Sequence, residues 1–368
     1  MHAGFHRASA QWVDAYWPDQ SSAGSISTRR RWFTGRLSAA RETAPPMFVR
    51  SLAVLFCLLL AAAPVSAAPA HPECIAPASP GGGFDLTCRL AQKALLQAGL
   101  LPAPLRISYV PGGVGAVAFN AMVSQRPADG NIIHAWSSGS LLNLAQKKFG
   151  RYDEGAVRWL AAVGTSYGAI AVRSDSPYQS LADLVNALKS NPRKVTIGSS
   201  GTVGGQDWMQ AAMIARIARI NPRNLRYVAL EGGGEIATAL LGGHIEVAST
   251  DIADSVPHIL SGRMRILAVF AEQRLPDELA GIPTAREQGY DIVWPVVRGF
   301  YIGPQVSDAD YAWWKSAFEQ LLVSDTFADA RRHSELLPFA MTGDELQAWV
   351  HQRVASYRQL VEEFGLPQ

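Results

Sequence analysis

The sequence predicts an α/β protein of two lobes, each built on a mostly parallel sheet flanked by helices. Three observations lead there. Short apolar runs of strand length alternate with stretches of helical period from residue 74 onward, the pattern of parallel-sheet lobes. The chain has 368 residues, more than one hydrophobic core usually supports. Four times a strand-like run is followed by a glycine-rich turn and then by a helix.

The N-terminal stretch is unlike the rest. Residues 1–46 carry Arg29, Arg30 and Arg31 among scattered Trp, Ser and Pro, with no sustained period. Arg50 then precedes an unbroken apolar run from Leu52 to Ala63, and Val65-Ser66-Ala67 offers small residues at both positions a signal peptidase needs. The run is short for a transmembrane helix. Residues 47–67 therefore read as a secretory signal peptide, with mature protein beginning near Ala68. The simplest reading starts translation at Met47 and makes residues 1–46 an over-called start; a genuine extended leader is the alternative. Seven arginines and three acids fall in residues 1–67, so the formal net charge of +2 becomes −2, with 26 basic against 28 acidic residues. Neither value points to nucleic acid.

Cys57 lies inside the apolar run, behind Phe56 where a lipoprotein signal wants a small residue. Cys74 and Cys88 remain, in a chain assigned to an oxidising compartment. A bridge between them would contribute ~3 kcal/mol in the chain-entropy model; two buried thiols are the alternative. Cys74 reads as the end of a first strand and Cys88 as part of the first turn of the next helix. No His or acid pair sits nearby at metal-ligand spacing, and no cofactor or metal is expected.

The strand candidates in order are Leu105–Val110, Ile132–Trp136, Ala169–Val172, Val195–Gly198, Leu225–Leu230, Ile245–Ser249 and Arg265–Phe270, each bounded by Gly, Pro or polar residues. Helix starts carry capping-box spacing at Ser180 with Asp183, Thr284 with Glu287, Ser307 with Asp310 and Thr342 with Glu345. The last helix places Leu346, Trp349, Val350, Val354, Tyr357, Leu360, Val361 and Phe364 on one stripe and stops at Gly365.

The four glycine turns are Pro80–Asp85 before a helix over Leu86–Ala98, Pro111–Gly115 before Ala116–Val123, Ser199–Gly205 before Met209–Ile217, and Glu231–Gly234 before Glu235–Leu241. A helix N-terminus exposes unpaired N–H groups and the positive end of its dipole, and glycine lets a ligand approach the backbone. One such turn is as often mere chain reversal; four together read as an anion cleft. They hold no Lys or Arg, so the grip would come from backbone donors and hydroxyls. No G-x-x-x-x-G-K-[ST] pattern is present, Gly113-Val114-Gly115 lacks the rest of a dinucleotide fingerprint, and Ser200 lacks a G-x-S-x-G elbow.

Pro77–Asp85 resembles the first signature of the periplasmic binding components of tripartite tricarboxylate transporters, the Bug family. Pro111–Gly115, Ala128-Asp129-Gly130, Ser200-Gly201, Gly232–Glu246, Pro257-His258-Ile259, Gly262 and Leu267–Val269 continue that resemblance in family order. It implies a Venus-flytrap fold with lobe 1 formed by residues 68–172 plus 295–368 and lobe 2 by 173–294, the chain crossing near Ala169–Arg173 and Trp294–Pro304. It also implies a monomer in the periplasm, catching a carboxylate between the lobes through main-chain amides and delivering it to an integral membrane permease.

Together with the glycine-loop reading, the resemblance implies a ligand-binding set of Ser79, Pro80, Gly81, Gly82, Gly83, Phe84, Asp85, Ser138, Ser200, Gly201, Thr202, Gly204, Asp251 and Arg298. Several positions depart from the family pattern. Ala78 stands where an aromatic is usual, Val203 and Asp207 replace a common Gly and His, Thr250-Asp251 replaces Asp-Asn, and Arg298 replaces an aromatic. Segment 73–88 looks most like the tricarboxylate-binding branch, which makes citrate the first expectation. Arg298 then either pairs with a ligand carboxylate or with a neighbouring acid. A sensor that presents its ligand to a membrane kinase would use the same cleft. A hydrolase built on Ser138, Ser140 or Ser200 lacks a base beside any of them.

Overall fold

The computed structural model describes residues 68–366. The signal peptide expected at residues 47–67 and the segment before it lie outside the described residues.

The first half of the fold is laid down by β1 (Glu73–Ala76), α1 (Gly83–Gln97), β2 (Arg106–Tyr109), α2 (Ala116–Gln125), β3 (Ile132–Ser137) and α3 (Ser138–Ala145). β1 pairs in parallel with β2 and with β3. The 16-residue β4 (Arg158–Arg173) follows, and then α4 (Leu181–Ser190), β5 (Thr196–Ser200), α5 (Gln206–Ile217), β6 (Arg226–Leu230), α6 (Gly233–Leu241), β7 (Val247–Asp251), α7 (Ile252–Leu260) and β8 (Met264–Val269). In this half β5 pairs in parallel with β6 and β7, while β7 and β8 flank β4 antiparallel. The chain returns through β9 (Pro295–Ile302), which inserts between β3 and β4, and closes with α8 (Asp308–Leu322), α9 (Asp325–Arg332), β10 (Met341–Thr342) and α10 (Gly343–Glu363).

β4 belongs to both sheets. Its residues up to Tyr167 pair with β9, and from Gly168 onward it pairs with β7 and β8. Only its second part has a clean strand signature in the sequence. The rest is buried as completely, but Gly164, Thr165, Ser166 and Gly168 interrupt the continuous apolar run by which a doubly buried strand is recognised. Gly168 carries a steric demand, since a Cβ there would meet the Gln210 amide at 2.5 Å.

Each half has its own core. Leu90, Leu95, Leu160, Phe300, Trp314 and Phe318 belong to the first, and Ile236, Leu240, Ile252, Ile266 and Val269 to the second. Each such side chain contributes roughly 1.5–3 kcal/mol by leaving water. Seven of the eight stripe residues of α10 are buried; Phe364 caps the helix, half-buried, before Gly365 turns the chain at φ +60. Among the described residues no helix is long and apolar enough to cross a membrane.

The capping expectations divide. Ser180 and Asp183 form a full box, and the Ser307 hydroxyl accepts from the Asp310 N–H at 3.1 Å. Thr284 and Glu287 exchange both box hydrogen bonds, at 3.0 and 2.8 Å, but the segment is a turn and not a helix. Gly289, at φ +84, ends it within one turn. Thr342 makes no cap at all: its hydroxyl goes to Glu319 Oε1 at 3.1 Å, and α10 starts on Gly343 at φ +56.

Cys74 and Cys88 form a disulfide with Cα atoms 5.8 Å apart. Cys74 lies within β1, not at its end, and Cys88 is one turn further into α1 than the sequence reading put it. The bridge ties strand to helix beneath the Pro80–Gly82 loop.

Candidate functional site

Five helices begin around one cavity of about 60 Å³ between the two halves, lined at α1 by Gly82, Gly83 and Phe84, at α3 by Ser137 and Gly139, at α5 by Gly205, Gln206 and Asp207, at α6 by Gly232 and Gly233, and at α7 by Asp251 and Asp254. All five point the positive ends of their dipoles inward. The two glycine loops touch across the gap. A Cβ on Gly82 would stand 3.2 Å from the Gly233 nitrogen, so side chains larger than hydrogen would hold the halves apart. A larger cavity of about 190 Å³ lies beside Ser166, Tyr167, Leu275, Arg331 and Glu335; it holds none of the glycine loops.

The sequence-derived set separates into residues that line the cleft and residues that shape it. Gly82, Gly83, Phe84, Ser200, Asp251 and Arg298 line it. Ser79, Pro80, Gly81, Asp85, Ser138, Gly201, Thr202 and Gly204 do not. Asp85 holds its loop from behind: its carboxylate accepts from the Gly81 N–H at 2.9 Å and the Tyr109 hydroxyl at 2.8 Å, and pairs with Arg89 at 2.8 Å. The Ser138 hydroxyl accepts from the Val297 N–H at 2.9 Å, pinning α3 to β9. Thr202 and Gly204 are gripped from the first half, by Lys148 Nζ at 3.2 Å and Gln146 Nε2 at 2.7 Å. Gly201 turns the chain at φ +71 and its carbonyl accepts from the Tyr227 hydroxyl.

Arg298 is 3% exposed and sits on β9 directly under α1, so that a Cβ on Gly83 would fall onto its guanidinium. A cation facing a helix N-terminus is unfavourable unless anions surround it. They do. Nη2 lies 2.5 Å from Asp251 Oδ2 and 3.5 Å from Asp254 Oδ1. Of the two partners the sequence left open for Arg298, the neighbouring acid is the one it meets.

Asp251 is fully satisfied: it also accepts from the Ser166 hydroxyl at 2.6 Å and, as the N-cap of α7, from the Ala253 N–H at 2.9 Å. Asp207 accepts from the Ser200 N–H and hydroxyl and from the side-chain amides of Gln206 and Gln210. Burial, with Asp251 nearby, nonetheless pushes its carboxyl up to about 6, against those hydrogen bonds. Burial also raises Asp254 well above the usual carboxylate range, the Asp251 and Asp207 charges adding to it and Arg298 opposing.

Sequence reading missed Asp254 and did not count Asp207 among the site residues, although Asp207 stood out as a departure from the family pattern. Asp254 carried a single local signal, its place in the first turn of a helix, and an acid there is ordinarily a helix-dipole residue.

The model for the tripartite tricarboxylate transporter family receptor matches residues 91–366. Among curated proteins, a UPF0065 protein of Bordetella pertussis is 24% identical over 328 residues, covering 88% of this chain and 98% of its own. A UPF0065 protein of Cupriavidus necator is 24% identical over 297 residues, covering 78% and 85%. Among solved structures, the periplasmic binding protein BugD superposes with a TM-score of 0.71 at 19% identity, over 80% of this chain and 98% of its own. MatC of Rhodopseudomonas palustris, solved with bound malate, gives 0.68 at 18% identity, over 79% and 98%. A further R. palustris protein, solved with adipate, gives 0.72 at 18% identity, over 81% and 98%. These likenesses fix the fold as that of a two-lobed periplasmic binding protein. The family match reaches further, and by it the chain belongs to the tripartite tricarboxylate transporter receptors: it is a periplasmic solute-binding receptor, partnered by membrane permease components, and not an enzyme.

Proposed function

We propose that this receptor closes as a monomer on a small organic acid, holds its carboxylate on the amides that open α1 at Gly82–Phe84, and hands it to the membrane permease. The observation that carries this is the convergence of five helix N-termini on one cavity, with glycine at the closest approach of the two halves. Backbone donors at helix starts stabilise a carboxylate without a dedicated cation.

The lobes of this reading are residues 68–172 with 295–368, and residues 173–294. The change of partners along β4 supports that division. Export would follow cleavage after Ala67, supported by the Val65-Ser66-Ala67 sequence.

Citrate was the first expectation, with Arg298 taking the third carboxylate. The pairing of Arg298 with Asp251, and a cavity of about 60 Å³, weigh toward a smaller acid. Malate and adipate, held by structurally similar proteins, are acids of that kind. Native mass spectrometry of exported protein should return the mass of a bound small acid, and calorimetry on ligand-stripped protein should reproduce its binding. Protein that binds no mono-, di- or tricarboxylate after stripping would overturn the proposal.

A further inference from the structure

We infer that the larger cavity is a second binding site, fitted to a small organic cation: a primary amine on an apolar body of about six carbons. The site lies apart from the glycine loops and takes its ligand independently of the cleft.

Its walls are fixed and come from both halves of the fold. On one side Leu275 and Leu279 are buried in the second core, packed in one cluster with Ile252 and Leu337. On the other, the stretch that carries Arg331, Glu335 and Leu336 is tied to β4, where Thr165 and Leu337 exchange backbone hydrogen bonds at 3.1 and 2.7 Å. An apolar cavity of about 150 Å³ holds a benzene ring. At about 190 Å³ this one takes such a ring with a head group attached.

One polar group of the wall is left without a partner. Tyr167 is 7% exposed and lines the cavity, yet its hydroxyl makes no hydrogen bond to the described residues. The neighbouring Ser166 hydroxyl is spent, donating to Asp251 at 2.6 Å. Burial, with the Glu272 charge adding, pushes the Tyr167 phenol up to about 12, so it stays neutral and can accept as well as donate. Polar groups this deeply placed normally have a partner, and a ligand head group supplies one.

The charge of that head group is set at the mouth. Asp277 and Glu335 line the cavity from opposite halves, with Glu278 next to Asp277. Among the described residues none of these three carboxylates has an ion pair or a hydrogen bond. Burial raises Glu335, the Glu278 and Asp277 charges adding to it and His333 opposing. The arginines of the wall are engaged within their own helix and its end: Arg332 pairs with Asp329 at 2.9 Å, and Arg331 donates to the Leu336 carbonyl. Negative charge is therefore in excess here, and a cation relieves it. No cluster of acids, His or Cys among the described residues converges to hold a metal ion. An ammonium group on a carbon body meets the carboxylates and the Tyr167 hydroxyl while covering the apolar walls.

The test is calorimetry on the mature protein with pairs of one carbon skeleton: benzylamine against benzyl alcohol, and cyclohexylmethylamine against cyclohexylmethanol. In at least one pair the amine should bind tenfold or more tighter than the alcohol. Tyr167→Phe and Glu335→Gln should each weaken that amine at least threefold and leave carboxylate binding in the cleft unchanged. Gly82→Val, which obstructs the cleft, should bind the amine as wild type does. Where a wall variant folds poorly, the wild-type ratio and Gly82→Val decide. An alcohol that binds as tightly as its amine, or no amine binding at millimolar concentration, overturns the inference. So does full amine affinity in either folded wall variant, or its loss in Gly82→Val. Each of these failures leaves the carboxylate reading of the cleft standing.

Discussion

Replacing Arg298 with methionine removes the one cation from a cluster of three buried carboxylates. The guanidinium is 3% exposed and bridges the halves, from β9 to the N-terminus of α7. Methionine fills much of the same volume, so the cost is electrostatic and little of it comes from a cavity. Asp251 would keep the Ser166 hydroxyl and the Ala253 N–H but lose its counter-charge. Breaking a buried pair by deleting one partner costs about 3–5 kcal/mol. Asp207 and Asp254, both already raised, can take up protons and relieve part of that, which puts the expected loss near 3 kcal/mol at neutral pH. In a domain of this size it lowers Tm by about 5–10 °C. Urea denaturation of wild type, Arg298→Met, Asp251→Asn and the double variant measures it as a cycle, in which the double should be less destabilised than the sum of the singles by about 2 kcal/mol. The penalty in Arg298→Met should also shrink between pH 7.5 and 5.5 as the acids protonate. Additive single effects, or a loss below about 1 kcal/mol, would refute the reasoning.

Three further outcomes follow from the same geometry. Cys74→Ser with Cys88→Ser should cost about 3 kcal/mol, read by denaturant melts, and wild type unfolded without reductant should titrate no thiol from this pair. Gly82→Val should keep the fold and weaken ligand binding at least tenfold, because its side chain meets the Gly233 backbone and props the halves apart. Gly201→Val, at φ +71 with Val114 Cγ2 2.5 Å from its Cβ, should lose stability as well as binding; unchanged affinity in either folded variant contradicts this. His134, buried and stacked on Tyr301 at 5.1 Å, is pushed down to about 3 by desolvation and by Arg126. Because the neutral ring is the folded form, its stability is present above the unfolded pKa of about 6.5 and lost as pH falls toward 3, about 2 kcal/mol of it by pH 5. His134→Gln should lose correspondingly less between pH 7.5 and 5, and an identical acid response would exclude the ring.

What the sequence determined by itself is the local part. Strands and helices follow from apolar period, helix starts from Ser180 and Ser307, the stop of α10 from Gly365, and the four glycine turns from their place between strand and helix. Each depends on hydrogen bonds and dihedral preferences spanning a few residues, which a string of side chains records directly. Where locality failed, the cause was also physical. Thr284 and Glu287 make their box but are stopped by Gly289, and the first part of β4 hides because Gly164, Thr165 and Ser166 break its apolar run. The chemistry of the cleft was decided elsewhere. Asp207, Asp251, Asp254 and Arg298 come from three separate stretches of chain, and sheet order alone brings them to one cavity. Arg298 lies 47 residues from Asp251, and its choice between a ligand and its own chain's acid turned on β9 inserting between β3 and β4, a pairing no sequence spacing encodes.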